Sequence, residues 1–345
     1  MYRFALVGCG RISKNHVEAI KKLEEENEAK LVACCDLIAE RVEKVAEETG
    51  AKAFTSYEEM LKESDIDIVS ICTPSGLHPK HTIMAARAGK HVLCEKPSGT
   101  KLSDVDAAID ACDDAGVRYF VVKQNRFNKT VQLLKKAIDI GRFGRIYMLV
   151  SNVFWTRPQE YYDMAPWRGT WEFDGGCLCN QAAHYVDLMQ WLGGAVESVQ
   201  AFSATLARRI EAEDTIVVNL KYRSGALGSV NVTTLTYPKN LEGSITVLGE
   251  NGTVRIGGVA LNKIATWEFR DSHPMDELIK EADTNPTSVY GFGHLDFYKH
   301  VIESLKTGSN GLVEGREGRK TVEIIEAAYQ SVLAGGQVRM CTMPR

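Results

Sequence analysis

The chain has 345 residues, 44% of them hydrophobic and 25% charged, with a net charge of −4. That length predicts two domains, each with a core of its own. The near-balance of charge excludes nucleic acid and anionic membrane as broad partners, because both select a basic face or a run of Lys and Arg.

In chain order, short apolar runs first alternate with helical patterns. Strand-like runs at 2–8, 29–36, 66–74, 90–95 and 118–123 are separated by helical stretches at 12–26, 39–50, 79–89 and 102–116, with Gly50 just past the end of its helix. Continuous apolar strands between helices predict a parallel sheet covered on both faces, the doubly wound α/β arrangement. After Lys123 the rhythm changes. A helix at 128–140 precedes longer alternating runs at 145–155, 197–206, 214–222, 225–235, 243–256 and 262–269, with "ENG" at 250–252 as a hairpin signal. These predict a second, mainly antiparallel open sheet, followed by helices at 291–306 and 316–334. The expected domains are therefore 1–123 and 124–345, with the C-terminal helices packing back on the first.

No apolar segment approaches the roughly 18 residues of a membrane helix, and the N-terminus enters a strand-like run in place of a signal peptide, so a cytoplasmic protein is expected. Nine cysteines, from Cys9 to Cys341, include no C-x-x-C pair. The "CC" at 34–35 and "CLC" at 177–179 match neither zinc nor disulfide spacing, and buried thiols without a metal are expected.

"GCGRIS" at 8–13 follows the first strand and opens the first helix. In that context Gly8 permits a tight turn, Gly10 lets backbone approach a pyrophosphate, and the helix N-terminus at Arg11 and Ile12 supplies donors. Ser13 stands where a third glycine or alanine is usual. Asp36, at the end of the second strand, is placed to accept hydrogen bonds from a ribose diol and would repel a 2'-phosphate, which favours NAD over NADP, although Arg41 lies nearby. A structural glycine turn beside a surface aspartate would give the same letters.

"ALVGCGRIS", "CTPSGLHP" at 72–79, "CEKP" at 94–97 and "GGCLCNQAAHYVD" at 175–187 together resemble the Gfo/Idh/MocA oxidoreductase family over essentially the whole chain. The resemblance implies an N-terminal Rossmann domain, a C-terminal α/β domain with an open antiparallel sheet, and hydride transfer between NAD and a sugar or polyol. It also implies cofactor contacts from Thr73, Pro74, Ser75, His78, Glu95, Lys96 and Gln124. "VKQNRFN", "YYDMAPWRGTWEFDGG", "NQAAHYVDLMQW", "EAEDT" and "LEGSITVLGENGTVRIGG" are similar to one branch, the bacterial UDP-N-acetylglucosaminuronate 3-dehydrogenases of surface-polysaccharide pathways.

Oxidising a secondary alcohol requires a base for the hydroxyl proton. Lys96, at the tip of a predicted parallel strand, and His184, early in a helix expected over 180–192, are the two candidates. Lysine is an ordinary cation with a pKa near about 10.4; burial and a cationic nicotinamide would lower it, and a close Glu95 would raise it. Many family members carry an aspartate four residues before the histidine. Asn180 stands there in this chain and cannot act as a base, which shifts the expected role toward Lys96. Lys96–Pro97 is a candidate cis bond. An anionic substrate calls for cations, and Lys123, Arg126, Arg157 and Arg168 are candidates, with Trp167 and Asn180 beside them. A free sugar or inositol dehydrogenase and a non-enzymatic sugar-sensing regulator are the competing readings. An open sheet left bare predicts a homo-oligomer, dimer or tetramer.

Overall fold

The computed structural model describes residues 1–258, 260–284, 293–309 and 311–340. Cys341 and the first two residues of the helix expected over 291–306 lie outside them. In chain order the elements are β1 (Tyr2–Val7), α1 (Ser13–Glu25), β2 (Ala29–Cys35), α2 (Ala39–Thr49), β3 (Lys52–Phe54), α3 (Tyr57–Leu61), β4 (Ile68–Ile71), α4 (His78–Arg87), β5 (His91–Cys94), α5 (Leu102–Asp114) and β6 (Tyr119–Val121). There follow α6 (Lys129–Asp139), β7 (Ile146–Phe154), α7 (Gln159–Asp163), α8 (Gly176–Cys179), α9 (Ala183–Gly193), β8 (Val196–Ala204), β9 (Thr215–Tyr222), β10 (Leu227–Thr233), β11 (Glu242–Gly249), β12 (Gly252–Gly257), β13 (Lys263–Phe269), α10 (Ile279–Ala282), α11 (Gly293–Thr307), α12 (Gly315–Ala334) and β14 (Val338–Arg339).

The chain divides into two compact units, Met1–Val122 with His294–Arg319, and Lys123–Gly293 with Lys320–Arg345. In the first, the strands run β3-β2-β1-β4-β5-β6, all parallel. β1 shows why. Phe4, Ala5, Leu6 and Val7 are all buried, so neither face can be left to water, and helices must cover both. On α1, His16, Val17, Ile20 and Leu23 recur at helical spacing and form the buried stripe. Residues of α11 and the start of α12 belong to this unit, where Arg319 pairs with Asp106 at 2.6 Å and Val121 donates to the Val313 carbonyl at 2.7 Å.

The second unit is built on a sheet in the order β13-β12-β11-β7-β10-β9-β8-β14, antiparallel except for the parallel pair β7 and β10. β9 alternates buried and exposed positions along its length, so one face is core and the other is not. Leu188, Met189 and Leu192 of α9 join Val218, Leu220 and Val230 in that core, each worth about 1.5–3 kcal/mol of apolar burial. Glu250 and Asn251 turn the β11–β12 hairpin, as the "ENG" signal predicts. The eight described cysteines are all buried, and none is in a disulfide. Among the described residues no helix is long and apolar enough to cross a membrane.

Candidate active site

In the first unit β1 runs into Gly8, whose φ of +92° lies in the left-handed region. A Cβ there would stand 2.7 Å from the Cys72 carbonyl, so this close pass over the end of β4 requires glycine. A Cβ at Gly10 would meet nothing within 4 Å, which leaves that side of the loop open to a ligand. Ser13, in place of a third glycine, is buried, and its hydroxyl donates to the Gly10 carbonyl at 2.6 Å. Exposed Arg11 and half-buried Ile12 lead into α1, whose first turn has no side-chain cap. Asp36 Oδ2 accepts the Cys9 N–H at 2.8 Å and Oδ1 accepts the Ile38 N–H at 2.9 Å. Each oxygen retains acceptor capacity for a ribose hydroxyl, so loop, helix terminus and carboxylate fit a dinucleotide with an unmodified ribose.

Beyond β4, Thr73 Oγ1 meets His81 Nδ1 at 3.0 Å, Pro74 is half-buried and Ser75 is buried. His78 is buried, with Nδ1 2.7 Å from the Pro97 carbonyl oxygen and Nε2 2.7 Å from that of Thr73. Both nitrogens face backbone, so His78 braces the two loops from behind; this differs from the direct cofactor contact expected of it.

Lys96 is half-buried just past β5, and its bond to Pro97 is cis. Glu95 is only 5% exposed. Its Oε2 accepts the Lys96 backbone N–H at 3.0 Å, and its Oε1 lies 3.0 Å from His16 Nε2 and 3.7 Å from His294 Nε2. His16 Nδ1 in turn meets the Tyr298 hydroxyl at 2.7 Å, which meets Ser70 Oγ at 3.0 Å. The protons close with His16 neutral: Ser70 donates to Tyr298, Tyr298 to Nδ1, and Nε2–H to Glu95. Burial pushes His16 down. Burial would push Glu95 up, but the hydrogen bond from His16 and the nearby His294 hold it well below the usual carboxylate range. Glu95 is thus an inward-anchored anion that fixes the backbone at Lys96, a different task from the cofactor contact expected. One ligand atom each from His16, Glu95 and His294 lie within 4.8 Å of one another, but both nitrogens of His16 are already hydrogen-bonded.

In the second unit the helix expected over 180–192 is broken. α8 ends at Cys179, and α9 starts at Ala183, so Asn180 is not one helical turn before His184 but lies in the break between the two helices. Two left-handed glycines, Gly175 and Gly176, start α8 and make the separate short helix. Asn180 Nδ2 donates to Asp174, whose other oxygen accepts the Gly169 N–H at 2.7 Å. His184 Nε2 lies 2.9 Å from Gln124 Nε2. An amide nitrogen only donates, so that imidazole nitrogen is the acceptor. Gln124 is buried and its Nε2 orients His184, while its Oε1 has no hydrogen-bond partner.

One turn along α9, Asp187 receives Arg126 in two parallel bonds of 2.8 Å, together with Lys123 and Thr321. Against burial, which pushes it up, Arg126 and Lys123 hold Asp187 far below the carboxylate range. Arg126 is 1% exposed. Arg126, expected to meet a substrate anion, is paired with Asp187 and ties the 123–127 turn to α9.

Arg157 and Arg168 are placed differently. Their guanidinium carbons lie 5.2 and 4.2 Å from the Tyr161 ring centroid, with Trp155 5.0 Å from Arg157 and Trp167 4.7 Å from Arg168. Arg168 Nε is buried with no hydrogen-bond partner, and a cavity of about 400 Å³ opens beside it, lined also by Tyr162, Thr170 and Arg209. A buried guanidinium N–H lacking an acceptor is costly, and an anionic ligand would supply one.

Asp187 stood inside the quoted "HYVD", three residues after the histidine, and its helical spacing was a usable signal. His16 and His294 carried none that a single sequence displays.

Residues 2–123 match the model of an oxidoreductase family described as an NAD-binding Rossmann fold, and residues 135–340 match that family's C-terminal alpha/beta domain. The solved WlbA dehydrogenase of Bordetella pertussis, in complex with NADH and UDP-GlcNAcA, is 55% identical, covering 99% of this chain and 98% of that one, with a TM-score of 0.95. The WlbA dehydrogenase of Chromobacterium violaceum, in complex with the same two molecules, is 54% identical over 99% and 96% of the chains, with a TM-score of 0.93. A myo-inositol 2-dehydrogenase of Thermotoga maritima is 27% identical over 96% of both chains.

Proposed function

The chain belongs to the Gfo/Idh/MocA oxidoreductase family and is an NAD-dependent dehydrogenase of CH–OH groups, and from that premise we propose that it oxidises C3 of UDP-N-acetylglucosaminuronate to a ketone. The observation that carries this reading is the 55% identity, over nearly the full length, to a dehydrogenase solved with NADH and UDP-GlcNAcA. The aromatic-flanked pair Arg157 and Arg168 supports it, since a uronate and a pyrophosphate both need such cations. The product serves synthesis of surface-polysaccharide sugars.

Gly8, Gly10, Arg11, Ile12 and Asp36 hold the dinucleotide, with Thr73, Pro74 and Ser75 on the loop beyond β4. When bound, NAD accepts hydride from the carbon that bears the hydroxyl. Lys96 takes the hydroxyl proton, and His184, Trp167, Arg168 and Asn180 contact the sugar nucleotide.

The test is turnover of UDP-N-acetylglucosaminuronate against glucose and myo-inositol, followed as NADH absorbance. The nucleotide sugar should win by orders of magnitude in kcat/KM. Equal or better use of the free polyols favours the second reading, which the 27% identity to an inositol dehydrogenase supports. A bound but unturned sugar nucleotide would favour a sensor. Asp36→Ala should lower the NAD over NADP preference at least about tenfold, since the carboxylate that repels a 2'-phosphate is gone. An unchanged preference in kcat/KM would show that another group reads the ribose.

The chain also assembles as a homo-oligomer, dimer or tetramer, through the open face of the second sheet. Phe202 pairs with Val217 and Leu227 with Met148 across adjacent strands, all four exposed. Sedimentation equilibrium giving the mass of one chain would overturn this.

A further inference from the structure

Glu213, just ahead of β9 in the second unit, is 2% exposed. Its Oε1 accepts the Leu178 N–H at 3.0 Å and lies 2.8 Å from the Tyr329 hydroxyl, which is itself 2.7 Å from the Gly175 carbonyl oxygen. Oε2 has no hydrogen-bond partner. A hydroxyl has one proton to give. If Tyr329 donates to Gly175, it can only accept from Glu213, and the carboxyl must then carry a proton. If Glu213 is ionised, Tyr329 turns to it and the Gly175 carbonyl loses its donor. The protonated acid completes the chain from Glu213 through Tyr329 to Gly175; the anion breaks it at Gly175.

The backbone is shaped to this carboxyl. Gly175 and Gly176 have φ of +77° and +92°, and a Cβ on Gly176 would lie 1.9 Å from Glu213 Oε2. Cys177 N–H donates to the Glu213 carbonyl at 3.3 Å. Gly175, Cys177 and Leu178 are thus all tied to Glu213, directly or through Tyr329, and the segment runs on into Asn180 and then α9 with His184.

We propose that Glu213 is a positioning residue that holds the Gly175–Asn180 segment through its own proton, and that losing this proton loosens the segment and weakens binding of the sugar. This rests on the reading that Asn180 and His184 face the substrate. Among the described residues, Cys177 of α8 and Tyr329 of α12 face Glu213, with Asp174 and Asp214 acting on Cys177 and Cys179 on Tyr329. Burial pushes Glu213 up to about 7, against the pull of the Leu178 N–H, the Tyr329 hydroxyl, its own backbone N–H and the Cys177 thiol. Burial and the nearby Glu213 keep Tyr329 and Cys177 well above their ordinary values, so both remain protonated. An acid raised in the fold contributes stability that is complete below its ordinary value of 4.5 and is lost as pH rises to about 7.

The experiment compares the full chain with Glu213→Gln, whose amide keeps a donor and cannot ionise. Hydrogen exchange of amides 175–180 and KM for UDP-N-acetylglucosaminuronate are followed with NAD present from about pH 6 to about pH 8.5. At matched pH, protection in the native chain should fall severalfold relative to the variant as pH passes about 7, and its KM should rise relative to the variant over the same interval. Ratios that stay constant with pH overturn the proposal, as does a shift in exchange with KM unmoved. If the native chain does not turn this sugar over, the substrate reading fails, and exchange alone still decides whether Glu213 holds the segment. Should Glu213→Gln not fold, Tyr329→Phe takes its place: it removes the middle of the chain and should exchange at the loosened level at every pH, and a native pH dependence in it is refuting.

Discussion

Lys96→Ala should lose about 10²- to 10⁴-fold in kcat while binding NAD with near-native affinity. The reason lies in the division of labour at the tip of β5. Glu95 is committed inward, to His16 and to the Lys96 backbone N–H, and so sets the backbone from which the lysine extends without depending on its ammonium group. The Gly8 loop and Asp36, which meet the dinucleotide, make their hydrogen bonds without Lys96, which is why affinity for NAD should survive. His184 is the weaker candidate for the base, since its Nε2 is occupied by a donor from Gln124. His184→Asn should therefore cost less than Lys96→Ala, and the Lys96→Ala variant should lose the acid limb of the kcat profile. NAD affinity by fluorescence quenching and single-turnover rates separate the two steps; native turnover in Lys96→Ala would sink the assignment.

The parts of this site that sequence reading reached are those where local pattern and chemistry coincide. β1 is apolar on both faces because it is a central parallel strand, and the glycine loop follows it because Gly8 must pass within contact of the Cys72 backbone. Lys96 stands out because it follows a buried strand in a motif of charge; its partner in that motif, Glu95, has an inward structural place that the letters do not display. What local pattern does not display has a different cause. Arg126 looks like a cation waiting for an anion until Asp187 is seen to face it, and that pairing joins residues 61 apart. Asn180 and His184 look like neighbours on one helix because their spacing is helical, but the paired left-handed glycines begin a short helix that stops before Ala183. Glu95 and His78 sit in the right motifs yet are buried, with their polar atoms directed at protein. Burial and long-range pairing decide whether a charged residue meets a ligand or another residue, and neither is written in local sequence.

That same pairing yields the largest expected effect on stability. Asp187→Asn keeps the shape of the side chain and removes the charge that Arg126 and Lys123 face, with those two side chains 1% and 3% exposed. Truncating one partner of a buried ion pair costs about 3–5 kcal/mol, because the remaining charge is stranded away from water. In a unit of this size that is a fall of roughly 6–20 °C in the unfolding midpoint. The sign with pH follows from the depressed native pKa: the stabilisation is complete above the ordinary aspartate value of 3.8 and is lost as acid takes the pH below it, so the gap between native chain and variant should narrow there. Removing the facing charge as well, in Asp187→Asn with Arg126→Met, should recover part of the loss, whereas a simple packing defect would be deepened by a second substitution. Activity should follow stability, since Asp187 and His184 are one turn apart on α9 and Gln124 lies between Lys123 and Arg126. The clamp that holds the turn to Asp187 is the same one that brings Gln124 to His184. Differential scanning calorimetry across this pH range decides the matter: a variant whose midpoint stays within about 2 °C of native at neutral pH, under half a kcal/mol or so to a kcal/mol, would mean that the pair contributes nothing the amide cannot replace.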